Sequence, residues 1–219
     1  MRFPTLGAKV PVAFVLSYDV DWGNDGNLVI ADAHLQSGLK QFGEPWLHGV
    51  AHVFTLKLAD KLVIVGGEEQ RFLDTSRRIT RPDAIRSILV MRHKMDVRKI
   101  DCVVSEPNTI GNAKAISEWC FNNQYSADDA FVICAYWHIP RAALQLGIQG
   151  INMPLIPAEA IMLAYLDTRE VMPWALEEYW GGGDFAKRAS MECKGIAAML
   201  RREYKPLSER EETPAAVTG

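Results

Sequence analysis

Apolar residues along this chain gather in short runs, and most runs are followed by a stretch in which apolar positions recur every three or four residues. The runs occupy residues 12–16, 62–65, 100–104, 131–135 and 151–155. A short, nearly continuous run rich in β-branched residues is the pattern of a strand buried on both faces, as in a parallel sheet. Between the runs, helical spacing is carried by Leu28, Ala31, Leu35, Leu39 and Phe42, with Gly43 and Pro45 as the stop. Pro82-Asp83 opens a second helix that buries Ile85, Ile88, Leu89 and Met95. Ile110, Ala113, Ile116 and Cys120 mark a third, and Ala142, Ala143 and Leu146 a fourth that stops at Gly147. Residues 46–58 read as a loop with a short helix. Strand and helix thus alternate about five times. This predicts an α/β, Rossmann-like fold: a mainly parallel sheet of about five strands, right-handed crossovers and helices on both faces. From residue 160 the pattern changes to two long helical segments, 160–180 and 185–204, separated by Gly181-Gly182-Gly183. The expected organisation is a Rossmann-like domain over 1–159, a C-terminal helical extension over 160–206 packed on it, and a disordered tail over 207–219, where the composition turns polar and rich in Pro and Ala.

Composition narrows the function classes. The chain has 219 residues, 48% hydrophobic and 23% charged, and a formal net charge of -3. That balance argues against a broad nucleic-acid surface, which needs a basic excess. No apolar run approaches the ~20 residues that span a bilayer, and the N-terminus lacks a signal-peptide core. The expectation is a cytoplasmic protein with no membrane anchor and no nucleic-acid partner. Cys102, Cys120, Cys134 and Cys193 form no C-x-x-C pair and read as small apolar residues in a reducing compartment, not as metal ligands.

The candidate chemistry lies where the runs end. In an open parallel sheet, ligands bind outside the carboxyl ends of the strands. After the first run come Asp19 and Asp21, and after the second Gly66, Gly67 and Glu68. After the third, in C-V-V-S-E-P-N-T-I-G-N, come Glu106, Asn108, Thr109 and Asn112. The fourth contributes Tyr136, His138 and Arg141, and the fifth Glu159. Paired glycines allow positive φ and close approach of a ligand to the backbone. Asn108 or Thr109 can cap the following helix, whose N-terminal N–H groups attract an anion. His138 and Arg141, three apart, share a helix face and suit an anionic group. Phosphate-loop, dinucleotide and zinc-hydrolase signatures are absent from the sequence. No metal-ligand spacing is recognisable, although Asp19, Asp21, Glu106 and His138 supply hard oxygen and nitrogen donors.

Gly66-Gly67 after a strand, then E-P-N-T-I-G-N-A (106–113) and A-Y-W-H-I-P-R-A (135–142), resemble the YdcF/SanA/ElyC family, whose central domain is of unknown function. The resemblance covers residues 12–159. The matching positions are Gly66, Gly67, Glu106, Asn108, Thr109, Asn112, His138 and Arg141. The chain departs from the family pattern in a shorter Glu106-to-Asn108 spacing, in Gly111 where Glu is common, and in Tyr18-Asp19 where a glycine usually follows the first strand. The resemblance implies a Rossmann-like fold and S-adenosylmethionine as a possible ligand.

The expectation is therefore a protein that binds a nucleotide-like or phosphate-bearing small molecule, S-adenosylmethionine by resemblance, at the strand rim. Gly66, Gly67, Asn108, Thr109, Asn112, Tyr136 and Arg141 are the expected binding residues. In a group-transfer or hydrolytic enzyme, His138 would be the acid/base, with Glu106 or Asp19 as partner. The alternatives are a non-catalytic sensor or scaffold, and a metal-assisted phosphoester hydrolase using Asp19, Asp21 and His138. Oligomeric state is not legible.

Overall fold

A computed structural model describes residues 10–17, 20–22, 28–30, 43–67, 79–106, 108–126 and 129–167, with isolated helical positions between 190 and 197. The elements run β1 (Val10–Leu16), β2 (Val20–Trp22), β3 (Leu28–Ile30), α1 (Gly43–Ala51), β4 (Ala59–Gly67), α2 (Arg81–His93) and β5 (Ile100–Ser105). They continue with α3 (Thr109–Asn123), β6 (Ala130–Cys134), α4 (Ile139–Ile148), β7 (Leu155–Pro157) and α5 (Ala158–Asp167). Short 3-10 turns cover Val97–Lys99 and Tyr136–His138. β1, β4, β5, β6 and β7 form one sheet in the order β5-β4-β1-β6-β7, and every pairing in it is parallel. The expected α/β, Rossmann-like parallel sheet is the observed fold.

The period-2 alternation of side chains along each strand splits the core into two layers. Ala13 and Val15 of β1, Leu62 and Ile64 of β4, and Phe131 and Ile133 of β6 join Trp46, Leu47 and Val50 of α1, Ile85, Ile88 and Leu89 of α2, and Ala158 and Ile161 of α5. Val12, Phe14 and Leu16, with Val63, Val65, Val132 and Cys134, pack against Ala113, Ile116 and Cys120 of α3 and Ala142 and Leu146 of α4. Thus α1, α2 and α5 cover one face and α3 and α4 the other. Double coverage explains why the strands read as unbroken apolar runs. Each fully buried aliphatic side chain contributes roughly 1.5–3 kcal/mol. Packing of the two layers therefore outweighs any single cap or ion pair.

Four features differ from the sequence expectation. Leu28–Ile30 is a strand paired antiparallel with Val20–Trp22, not the start of a helix. The turn-forming stretch Gly23-Asn24-Asp25-Gly26 separates two β-prone triplets, and hairpin pairing overrides the helical spacing there. The rest of that expected helix lies outside the described residues. Gly43 and Pro45 begin helix α1 instead of ending one; proline is tolerated in a first turn because its missing N–H has no partner to lose. The fifth strand is Leu155–Pro157, beginning where the expected strand ends. Pro154 has no N–H for a ladder, and its carbonyl accepts from Val132 N at 2.8 Å. The expected domain boundary at 159/160 falls inside α5, whose Ala158 and Ile161 belong to the sheet's own core. The long helical segments and the tail expected beyond Asp167 lie outside the described residues, apart from the isolated helical positions.

Thr80 caps α2: its Oγ1 accepts from Asp83 N at 3.2 Å and donates to Asp83 Oδ2 at 2.6 Å. Thr80→Ala should lower stability by about 1 kcal/mol, read as a lower urea midpoint at unchanged slope. On edge strand β5, burial pushes the Cys102 thiol up to about 12, against the opposing pull of Arg86 and with a further push from Asp83. Exposed Cys193 should therefore react with maleimide at neutral pH while Cys102 stays protonated and unmodified until the solution approaches pH 12 or the protein unfolds. Peptide mapping after labelling at increasing pH checks this.

Candidate functional site

The strand order reverses at one place. From β1 the chain moves outward through β4 to β5, then returns to the other side of β1 for β6 and continues outward to β7. Where neighbouring crossovers depart to opposite faces, the helices separate and leave a crevice at the carboxyl ends of the two strands. Here those strands are β1 and β6. Ser17 follows β1, and Ala135-Tyr136-Trp137-His138 follows β6.

The segment after β6 is locked in place. Trp137 is buried in the core shared with α1, α2 and α5. Tyr136 N donates to both carboxylate oxygens of Glu159, at 3.1 and 3.3 Å. Glu159 itself is 1% exposed, in the first turn of α5. His138 N donates to Ala135 O at 2.9 Å, closing the 3-10 turn that leads into α4. At the start of α4, an Arg141 guanidinium nitrogen lies 3.2 Å from His138 Nδ1. The guanidinium sets a permanent positive charge beside the imidazole. The expected pairing of His138 and Arg141 on one helix face is thus present.

Gly66 and Gly67 are the last two residues of β4, paired with Val104 and Ser105. They lie within the strand, not beyond it. Among the described residues the only glycine with positive φ is Gly150, so the expected left-handed turn at 66–67 is absent. What Gly66 provides is space. A Cβ there would collide with Ser17 Oγ and lie 2.5 Å from Ser17 Cβ. The missing side chain lets a hydroxyl stand at the end of β1, beside the crevice. Sequence reading passed over Ser17, although its place at the end of the first apolar run was a usable signal.

The turn after β5 is bound up in itself. Asn108 caps α3, its Oδ1 accepting from Gly111 N at 2.7 Å, while its Nδ2 donates to Glu106 Oε2 at 3.2 Å. Ser105 Oγ donates to Asn112 Oδ1 at 2.6 Å. Thr109 is 5% exposed. Gly111, the departure from the family pattern, admits Glu106: a Cβ there would stand 2.5 Å from Glu106 Cβ. β5 is also the sheet's edge strand, three inter-strand steps from β6. At ~4.8 Å per step, Glu106 starts about 14 Å from the segment carrying His138. Strand order places Ser17 and the segment Tyr136 to Arg141 at neighbouring strand ends, with Gly66 against Ser17. It leaves Glu106, Asn108, Thr109 and Asn112 at the edge as a helix cap, so Glu106 is not placed to be the partner of His138. Asp19 lies outside the described residues, as does the side chain of Asp21. Glu159, which the sequence offered only as a rim residue, is the buried support of the Tyr136 turn.

No group of three or more His, Cys, Asp or Glu side chains placed to hold a metal ion occurs among the described residues. No helix among them is long and apolar enough to cross a membrane. No protein-family model matches the chain, and no curated protein matches it. Among solved structures, a protein from Streptomyces avermitilis MA-4680 provisionally described as a HAD family hydrolase is similar at 12% identity and a TM-score of 0.35, over 74% of this chain and 90% of that one. Similarity this shallow assigns no chemistry here.

The packing of Gly66 against Ser17 has a measurable consequence. Gly66→Ala should destabilise the protein by about 1–3 kcal/mol through overpacking. The double variant Ser17→Gly/Gly66→Ala removes the colliding atoms and should be more stable than Gly66→Ala alone. Additive losses in urea denaturation would show that the two residues do not meet.

Proposed function

We propose that the protein binds a small anionic, phosphate-bearing molecule in the crevice between the carboxyl ends of β1 and β6. The observation that supports this reading is the coincidence of the strand-order reversal with the His138–Arg141 pair. Arg141 contributes a fixed charge suited to a phosphate or carboxylate. His138 contributes an imidazole beside that charge, and Ser17 a hydroxyl from the other strand. Glu159 and Trp137 hold the turn that carries them, so the donors are positioned before a ligand arrives and little ordering entropy is lost on binding. A nucleotide-like ligand fits this scheme, and S-adenosylmethionine, the compound implied by the resemblance to the YdcF/SanA/ElyC family, is its first candidate. The cap at Asn108 to Asn112 stabilises α3 and stays outside the ligand contact.

The test is the melting temperature with S-adenosylmethionine, a sugar phosphate or inorganic phosphate, in the wild type, Arg141→Met and His138→Ala. A ligand at 100 times its Kd adds about 2.7 kcal/mol, a rise of roughly 5–10 °C for a chain this size. Removing a charged hydrogen-bond donor should weaken binding by about ten- to a hundred-fold. Arg141→Met should therefore lose about half of the shift or more and His138→Ala a smaller part, while Asn108→Ala should bind normally despite its lower stability. No shift with any of the three compounds at millimolar concentration, or a shift unaffected by both substitutions, would overturn the reading. Release of phosphate from a phosphate ester by the wild type, lost in His138→Ala, would make the site hydrolytic. Binding without turnover would make it a sensor.

A further inference from the structure

At the opposite end of the sheet, α1 and α2 finish and β4 and β5 begin, and positive charge collects there. Lys57 lies in the turn after α1, Arg92 in the last turn of α2, Lys94 just beyond it, and Arg98 and Lys99 in the 3-10 turn before β5. All five are exposed. Tertiary contacts join these segments into one surface. Lys99 Nζ sits 5.4 Å over the Phe54 ring, tying the turn before β5 to the turn after α1. His48 and His93 meet edge to face at 5.1 Å, tying α1 to the end of α2. Among the described residues of these segments the carboxylates are Asp60 and Asp96, Lys61 and Asp101 being paired with each other at 2.8 Å. Five cations against two carboxylates leave a surplus of three positive charges, on a chain whose net charge is -3. Arg92 complements the α2 dipole, which accounts for one of them. Arg98 is bound to the Asp96 carboxylate at 2.8 and 3.0 Å, whereas Lys57 and Lys99 stand outside any α-helix and have no dipole to complement. Among the cations, Met91 and Val97 are 59% and 51% exposed.

We propose that this face is a peripheral docking surface for an anionic lipid bilayer. A protein partner would be recognised through shape and a buried apolar centre, whereas here cations outnumber the exposed apolar side chains. A phosphate-rich nucleic acid would match the charge but would leave Met91 and Val97 against a polar backbone. An anionic interface satisfies both, with headgroups for the cations and the acyl boundary for the two aliphatic side chains. The sheet's length, roughly 20 Å, keeps the ligand crevice at the other end open to solution.

Co-sedimentation of the full chain with vesicles of phosphatidylcholine alone, or of phosphatidylcholine and phosphatidylserine at about 2:1, tests the proposal. Binding is expected only with phosphatidylserine, and it should weaken steeply between about 0.1 and 0.5 M salt as the charges are screened. Each cation near such a surface adds about fivefold to affinity. Lys57→Asn/Lys94→Asn/Lys99→Glu should therefore bind more than tenfold more weakly, and asparagine suits the left-handed backbone at 57 and 94. Val97→Asp, which leaves every cation in place, should also weaken binding. An unchanged melting temperature in both variants assigns the loss to the surface. The proposal is overturned by absence of binding to the anionic vesicles at low salt, by equal binding to neutral vesicles, by undiminished binding of the triple variant, or by tighter binding to a DNA duplex than to the vesicles.

Discussion

Strand β1 sits between two parallel partners, and the rest of the architecture follows from that. Its Val12 to Val15 backbone pairs with β4 on one side and β6 on the other, and its side chains are fully buried on both faces. A strand with parallel partners on both sides cannot be reached by hairpins, so the chain must leave and return through crossovers that cover each face of the sheet. Right-handed crossovers then send α1 and α2 to one face and α3 and α4 to the other. The reversal beside β1 is the geometric result, and it is where a crevice has to open.

Two segments of similar sequence character play different parts at the carboxyl rim. After β5, Glu106, Asn108, Ser105 and Asn112 bond to one another and to the first turn of α3. Their polar atoms are used to end a strand and start a helix at the sheet's edge. After β6, the backbone is held from behind by Glu159 and Trp137, so Arg141 and His138 can act in front. A buried carboxylate is costly unless it is hydrogen-bonded. The Tyr136 N–H gives Glu159 such a bond and ties the turn after β6 to α5.

The two ends of the sheet differ in character. The carboxyl end carries the strand-order reversal, with the His138–Arg141 pair after β6 and Ser17 after β1. The amino end presents helix C-termini, exposed cations and two exposed aliphatic side chains, suited to a broad surface. A parallel sheet makes this division natural, because its loops at the two ends never mix.

Much of the scaffold was legible in the amino-acid sequence. The unbroken apolar runs at β1, β4, β5 and β6 reflect burial on both faces, a local signal each strand carries for itself. Pro82 and Asn108 mark helix starts through their own backbone and side-chain chemistry. The pairing of His138 with Arg141 follows from helical spacing alone. Other features depended on partners remote in the chain. Hairpin pairing made Leu28–Ile30 a strand despite its helical spacing. Gly66 looks like a turn residue until Ser17, forty-nine positions earlier in the sequence, is placed against it. Glu106 and His138 both follow strands and look equivalent until strand order puts one at the edge and the other beside the reversal. Sequence determined which segments become strands and helices and which polar residues follow the strands, because those depend on local periodicity and capping. Tertiary structure alone decided which strand ends adjoin, because strand order is set by long-range pairing that leaves no mark in any one segment.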